Sequence, residues 1–174
     1  MRVFAVVNGD TTIGERSWQG PAAGEVLTTD GVIQVGLAAG SLNGADIKQA
    51  YIEDSPACVA AASRLLVDQD DPYSVVDTRL NRRRRQEDWP AFMQRLGGFI
   101  GQLQERHTDQ DVLVVTHAEA AQGIHAVMSG LELTEQDIAV CEPGEVWIIT
   151  ALEDHVRTTR VAHYTDGGRL VTDV

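Results

Sequence analysis

Two short polar segments directly follow apolar runs and carry the side chains best suited to chemistry. Asn8-Gly9-Asp10-Thr11 follows Val3 to Val7, and His117-Ala118-Glu119 follows the run from Asp111 to Thr116. An imidazole is the side chain whose protonation changes near neutral pH, so His117 beside Glu119 suits a general base or a ligand donor; the alternative is a satisfied structural histidine. The Asn8 amide either orients a ligand or bonds neighbouring loop backbone. Asp10 brings negative charge to the same place or caps its own loop, and Arg16 lies a few residues beyond.

Other reactive residue types admit plainer readings. Cys58 falls near a helix start, where a dipole could stabilise a thiolate, but a small buried apolar side chain is the expectation. His107, His125, His155 and His163 show no metal-ligand spacing, so no metal or other cofactor is expected. Arg79 and Arg82 to Arg85 place five of the fourteen cations within seven residues. That run is read as a solvated face, with an inward anion clamp or an acidic-partner patch as alternatives.

The elements that must position these groups can be read from periodicity. Val3 to Val7 form a buried strand ending at Asn8. Thr28 caps a helix to Leu42 with Val32, Val35, Ala39 and Leu42 on one face. "QAYIEDS" and "YSVVDT" read as strands, and Ser55-Pro56 opens an alanine-rich helix to about Leu66. Trp89 to Arg106 carries Phe92, Leu96, Phe99, Ile100 and Leu103 at helical steps. "DVLVVTHAEA" is a buried strand ending at His117, followed by a helix over Ala118 to Ser129. "VWIITALED" and "HVRTTRVAHYTD" complete the strands. The alternation predicts a three-layer α/β/α sandwich with a mainly parallel sheet, whose ligands sit at strand carboxyl ends. Asn8 and His117 occupy two such ends.

Bulk properties narrow the function classes. The 174 residues, 43% hydrophobic and 23% charged, fit one domain over the whole chain. Cys58 and Cys141 make no CxxC pair and read as buried thiols; with no signal-peptide pattern and no apolar run of membrane length, a cytoplasmic protein is expected. The net charge of −12 disfavours nucleic acid and anionic membranes as partners. A small molecule or a protein remains the expected partner, and an edge strand or apolar helix face could support a homodimer.

Several motifs occur in an order that resembles the histidine phosphatase (phosphoglycerate mutase-like) superfamily. "VNGDT" stands where that family has "RHGET", "RSWQG" where it has "RxQG", and "LTTDGVIQVGLAAGSL" where it has "LTxxGxxQAxxLAxxL", with about one residue missing between the first two. "EDSPACVAAAS" takes the place of "SPLxRAxQTA", and "VVTHAE" that of "VVSHGG". The resemblance implies a phosphoglycerate mutase-like fold and a pocket built from Asn8, Gly9, Asp10, Thr11, Arg16 and His117.

It also implies a missing catalytic apparatus. The family's nucleophilic histidine aligns with Asn8, the arginine before it with Val7, and the second phosphate-binding arginine with Val59. An amide nitrogen has its lone pair delocalised into the carbonyl and cannot attack phosphorus as an imidazole does. Losing one preformed donor costs roughly 100- to 1000-fold in rate, and here a nucleophile and two cations are absent together. "LNRRRRQEDW" offers only Glu87 for the family's acid/base glutamate. The expectation is a phosphatase-fold protein that holds a small molecule or protein partner without turning over phosphate. The alternative is a different enzyme that uses His117 as acid or base on a neutral or cationic substrate.

Overall fold

The structure, a computed structural model, describes residues 1–12, 24–166 and 169–172. Its centre is a six-stranded sheet in the order β3-β2-β4-β1-β5-β6. The strands are β1 (Arg2–Val7), β2 (Ile47–Ile52), β3 (Tyr73–Val76), β4 (Asp111–Thr116), β5 (Val146–Ala151) and β6 (Val156–Val161). The first four run parallel, whereas β5 and β6 are antiparallel additions at one side. From their second residues onward β1 and β4 are wholly buried. Their unbroken apolar runs are what a strand covered on both faces requires.

Helices supply both covers. On one face, α1 (Thr29–Gly40) and α2 (Pro56–Leu65) pack Val35, Ala38, Cys58, Ala61 and Leu65 against Phe4, Val6, Leu113 and Val115. On the other, α3 (Trp89–Arg106) and α4 (Ala118–Ser129) pack Phe92, Leu96, Phe99, Ile100 and Ile124 against Val3, Ala5, Val112 and Val114. The outcome is the expected three-layer sandwich. No helix among the described residues is long and apolar enough to cross a membrane.

Local chemistry sets the helix starts. The side chains of Thr28, Ser55 and Asp88 accept hydrogen bonds from the backbone N–H of Gly31, Cys58 and Ala91, each satisfying one orphan donor in the first turn. Such caps contribute about 1 kcal/mol each. The buried stripe of α1 differs from the expected one, running through Gly31, Val35 and Ala38, while Val32 and Ala39 flank it half-buried. Glycine at position 31 is the cause. A β-carbon there would lie 2.1 Å from the Asp10 carbonyl oxygen, and one at Gly9 would lie 2.3 Å from the Gly31 carbonyl oxygen. The helix start and the loop after β1 therefore meet backbone to backbone.

The carboxyl-terminal strand also differs from expectation. Residues 155–166 were readable as one strand, but β6 stops at Val161 because its partner β5 begins at Val146 and offers no further pairing. The chain continues as β7 (His163–Asp166), which pairs with β8 (Arg169–Thr172) in a separate two-stranded sheet. Cys58 and Cys141 are both buried and are not joined by a disulfide.

Candidate functional site

The parallel strands β1, β4 and β2 end side by side, and each delivers one polar residue. Val7 pairs with Thr116, and the Asn8 N–H donates to the Thr116 carbonyl at 2.8 Å. The Glu53 N–H, just beyond β2, donates to the Val115 carbonyl at 2.9 Å. Asn8, His117 and Glu53 thus form a row along the carboxyl edge, and all three are buried. A fourth segment is tied to this row: the Thr116 hydroxyl donates to the Leu80 carbonyl at 2.9 Å, and the Asp54 N–H to Asn81 Oδ1 at 3.0 Å.

At the middle of the row, His117 Nδ1 lies 3.0 Å from Glu53 Oε2. Burial pushes the Glu53 carboxyl up, but the charge and hydrogen bond of His117, the charge of Arg82 and the Cys58 thiol together outweigh it and leave Glu53 below the usual carboxylate range. An ionised Glu53 only accepts, so Nδ1 carries the hydrogen that faces it. Nε2 is then a lone-pair acceptor in the neutral ring and an N–H donor in the imidazolium. That Nε2 is buried and has no hydrogen-bond partner among the described residues. Glu119 Oε2 lies 4.0 Å from it.

A second charged pair adjoins the first. Arg82 Nη2 donates to Glu25 Oε1 at 2.9 Å, and the Thr11 hydroxyl donates to the same oxygen at 2.8 Å. Glu25 is 2% exposed and the Arg82 side chain 11%, so this pair is enclosed in protein. Arg82 is placed by its loop, which Arg95 clamps by donating to the carbonyls of Arg79 at 2.6 Å and Asn81 at 3.0 Å. The Cys58 thiol, 3.6 Å from Glu53 Oε2, is pushed well up by burial and by the Glu53 charge, which keeps it protonated.

The helix starts at this edge already have carboxylates of the chain beside them. Asp10 Oδ2 accepts from the Thr28 hydroxyl at 2.9 Å, at the start of α1. Glu53 stands beside Cys58 in the first turn of α2, and Glu119 lies in the first turn of α4. Helix N-termini attract anions through their free N–H groups and dipoles. At this edge that attraction is partly satisfied from within, and the carboxylates repel an incoming anion.

Among the residues expected at the site, Asn8 and His117 occupy the strand ends as read, and Gly9 makes the close approach to α1. Asp10 and Thr11 are engaged with Thr28 and Glu25, and Glu119 is a partly exposed neighbour of His117. Arg16, with Trp18, Gln19 and Gly20, lies outside the described residues. Glu87 is not a free acid: both its oxygens accept from Arg95, at 2.8 and 2.7 Å, and that pairing lowers its pKa.

The arginine run needs correction. Arg84 and Arg85 are exposed, as expected of a solvated face, but Arg82 and Arg83 turn inward. Arg83 pairs with Glu135 at 2.5 Å and Arg82 with buried Glu25, because opposed carboxylates offset the loss of hydration. Glu25 and Glu53 were not singled out from sequence. Glu53 does leave a signal, since a carboxylate closing the apolar run Ala50-Tyr51-Ile52 stands where parallel strands present ligands. Glu25 leaves none, because its partner is 57 residues away.

The sequence profile of the histidine phosphatase superfamily (branch 1) matches residues 67–163, a span that includes His117 and Arg82. No curated protein matches the chain. Among solved structures, the alpha-ribazole phosphatase of Shigella flexneri superposes with a TM-score of 0.77 at 18% identity, over 90% of this chain and 93% of that one. Phosphoglycerate mutase from Bacillus anthracis gives 0.74 at 14% identity, over 91% of each chain. The protein histidine phosphatase SixA, complexed with tungstate, gives 0.70 at 17% identity, over 93% of this chain and 97% of that one.

Proposed function

The chain belongs to the histidine phosphatase superfamily (branch 1), and from that premise we propose that it holds a non-phosphorylated ligand at the strand ends instead of transferring phosphoryl groups. Asn8 stands at the end of β1, where the motif resemblance calls for an imidazole nucleophile. Val7 and Val59 stand where it calls for cations. Arg82, whose charge reaches Glu53, is paired with Glu25. Phosphoryl transfer depends on positioning and on stabilising charge over the phosphoryl oxygens, and carboxylates here oppose that charge.

One observation carries the reading: His117 Nε2 is buried without a partner while Glu53 fixes the opposite ring nitrogen. An unmet buried polar atom costs about 1–3 kcal/mol. A bound group that hydrogen-bonds Nε2 removes that penalty, whether it comes from a small molecule or from a side chain of a partner protein. The net charge of −12 argues against nucleic acid and anionic membrane as that partner. Two buried cysteines that form no disulfide with each other support a reducing compartment such as the cytoplasm.

The same dyad favours a second reading, in which His117 is a general acid or base that Glu53 orients. A carboxylate behind Nδ1 fixes the tautomer and stabilises the imidazolium formed when Nε2 takes a proton. An activity that survives His117→Ala would exclude it.

Two assays on one preparation test the main reading. Hydrolysis of p-nitrophenyl phosphate is expected to stay at the blank rate, and a thermal-shift panel of phosphate-free metabolites is expected to give stabilising hits that His117→Ala removes. Turnover of the phosphate ester abolished by His117→Ala would overturn it.

A further inference from the structure

We infer that Glu25 is the specificity-determining residue of the strand-end edge: its carboxylate fills an anion seat formed by Arg82 and Thr11, and so keeps outside anions off. This inference rests on the binding reading above and assigns to one residue the exclusion of anions that the reading requires.

The contacts define the seat. Glu25 Oε1 accepts from Arg82 Nη2 at 2.9 Å and from the Thr11 hydroxyl at 2.8 Å, so one oxygen meets a guanidinium and a hydroxyl together. A guanidinium and a hydroxyl are donors that also suit a free carboxylate. Thr11 lies in the loop after β1, and the charge of Arg82 reaches Glu53 at the end of β2. The pair therefore belongs to the edge where the parallel strands end.

Glu25 enters this seat from outside. Gly24 and Val26, on either side of it, are exposed, whereas Glu25 is 2% exposed. One side chain thus reaches inward from a surface segment to the guanidinium. The room for a small anion is the room that this carboxylate now takes, and truncating the side chain opens it beneath the segment.

The cation stays in place without its partner, because other contacts fix its loop. Arg95 donates to the carbonyls of Arg79 and Asn81, the Thr116 hydroxyl donates to the Leu80 carbonyl, and the Asp54 N–H donates to the Asn81 side chain. Glu53, the other carboxylate that feels the Arg82 charge, is committed to His117. A guanidinium does not lose its proton in a protein, so Arg82 without Glu25 is a largely buried cation that calls for a counter-ion. A pair that only holds the fold together would lose stability in Glu25→Ala without acquiring a ligand.

The test titrates Glu25→Ala in a calorimeter at constant ionic strength. The probes are formate, which carries the deleted carboxylate, and formamide, which has nearly the same shape and no charge. Formate is expected to bind Glu25→Ala saturably and formamide not to bind. The parent chain and the double variant Glu25→Ala with Arg82→Ala are expected to give no heat with either. At ten times its Kd, formate should raise the folded-to-unfolded ratio of Glu25→Ala in urea about elevenfold. If Glu25→Ala does not fold, Glu25→Ser, which keeps an acceptor for Thr11, carries the same titration. A truncated variant that takes no formate, takes formamide equally, or still takes formate without Arg82 would overturn the inference and leave the binding reading standing. Formate binding to the parent that is lost in Arg82→Ala would overturn both, because the edge would then admit anions with Glu25 in place.

Discussion

Glu53 and His117, 64 residues apart in sequence, are hydrogen-bonded at 3.0 Å between the ends of neighbouring parallel strands. The contact follows from the register in which Ile52 pairs with Val115, so that the residues leaving β2 and β4 emerge together. It gives the imidazole a fixed orientation and leaves Nε2 with no hydrogen bond to the described residues.

Glu53→Gln keeps the shape but removes the charge. A hydrogen bond to a charged group is worth about 1.5–3 kcal/mol, so urea unfolding of the variant is expected to show a loss in that range. The ring-nitrogen shifts of His117 should report a mixture of tautomers. A variant as stable as the parent, with an unchanged tautomer, would remove Glu53 from its positioning role.

Acid should destabilise the fold in a defined window. Glu53, Asp77 and Asp111 all have carboxyl pKa values lowered in the folded state: each is raised by burial, then lowered further by His117, Arg79 and Arg2 respectively. A carboxylate depressed in this way contributes stability that is present above its unfolded pKa of about 4 and lost as pH falls through the folded value. Melting temperature is therefore expected to be level near neutrality with respect to these groups and to fall below about pH 4. His125 adds a shallower slope at higher pH, because burial and Arg160 lower its pKa and the unfolded chain takes up its proton first.

Arg82→Ala would strand Glu25 in the interior. Breaking a buried ion pair from one side typically destabilises by about 3–5 kcal/mol, because the remaining charge is uncompensated. Chemical denaturation should show that loss, and the double variant Arg82→Ala with Glu25→Ala should recover part of it. A single variant of parental stability would mean that Glu25 is not held as an anion by Arg82.

Cys58 is expected to resist alkylation in the folded chain. Its thiol is buried and held protonated, so native protein should react with iodoacetamide far more slowly than unfolded protein. Rapid native labelling at Cys58 would show that the α2 start opens.

Much of the fold was legible because its signals are local. The apolar runs of β1 and β4 and the helical spacing of Phe92, Leu96 and Leu103 fixed the elements, and their alternation fixed the layers. The site was legible only where a polar residue closes an apolar run, as at Asn8 and His117. Glu53 closes such a run too, but it reads as part of a strand until its register with β4 is known. The inward turn of Arg82 depends on Glu25 and on the clamp by Arg95, contacts that no sequence period encodes. The break after Val161 depends on where its antiparallel partner begins.

On the proposed function this strand-end site excludes phosphoryl anions. Calorimetric titration of the full chain with orthovanadate is the sharpest test, because vanadate mimics the phosphoryl group in flight and calls for cations where the motif resemblance places Val7 and Val59. No heat beyond dilution is expected. Saturable, tight vanadate binding that is lost in His117→Ala would contradict it and return the site to phosphate chemistry.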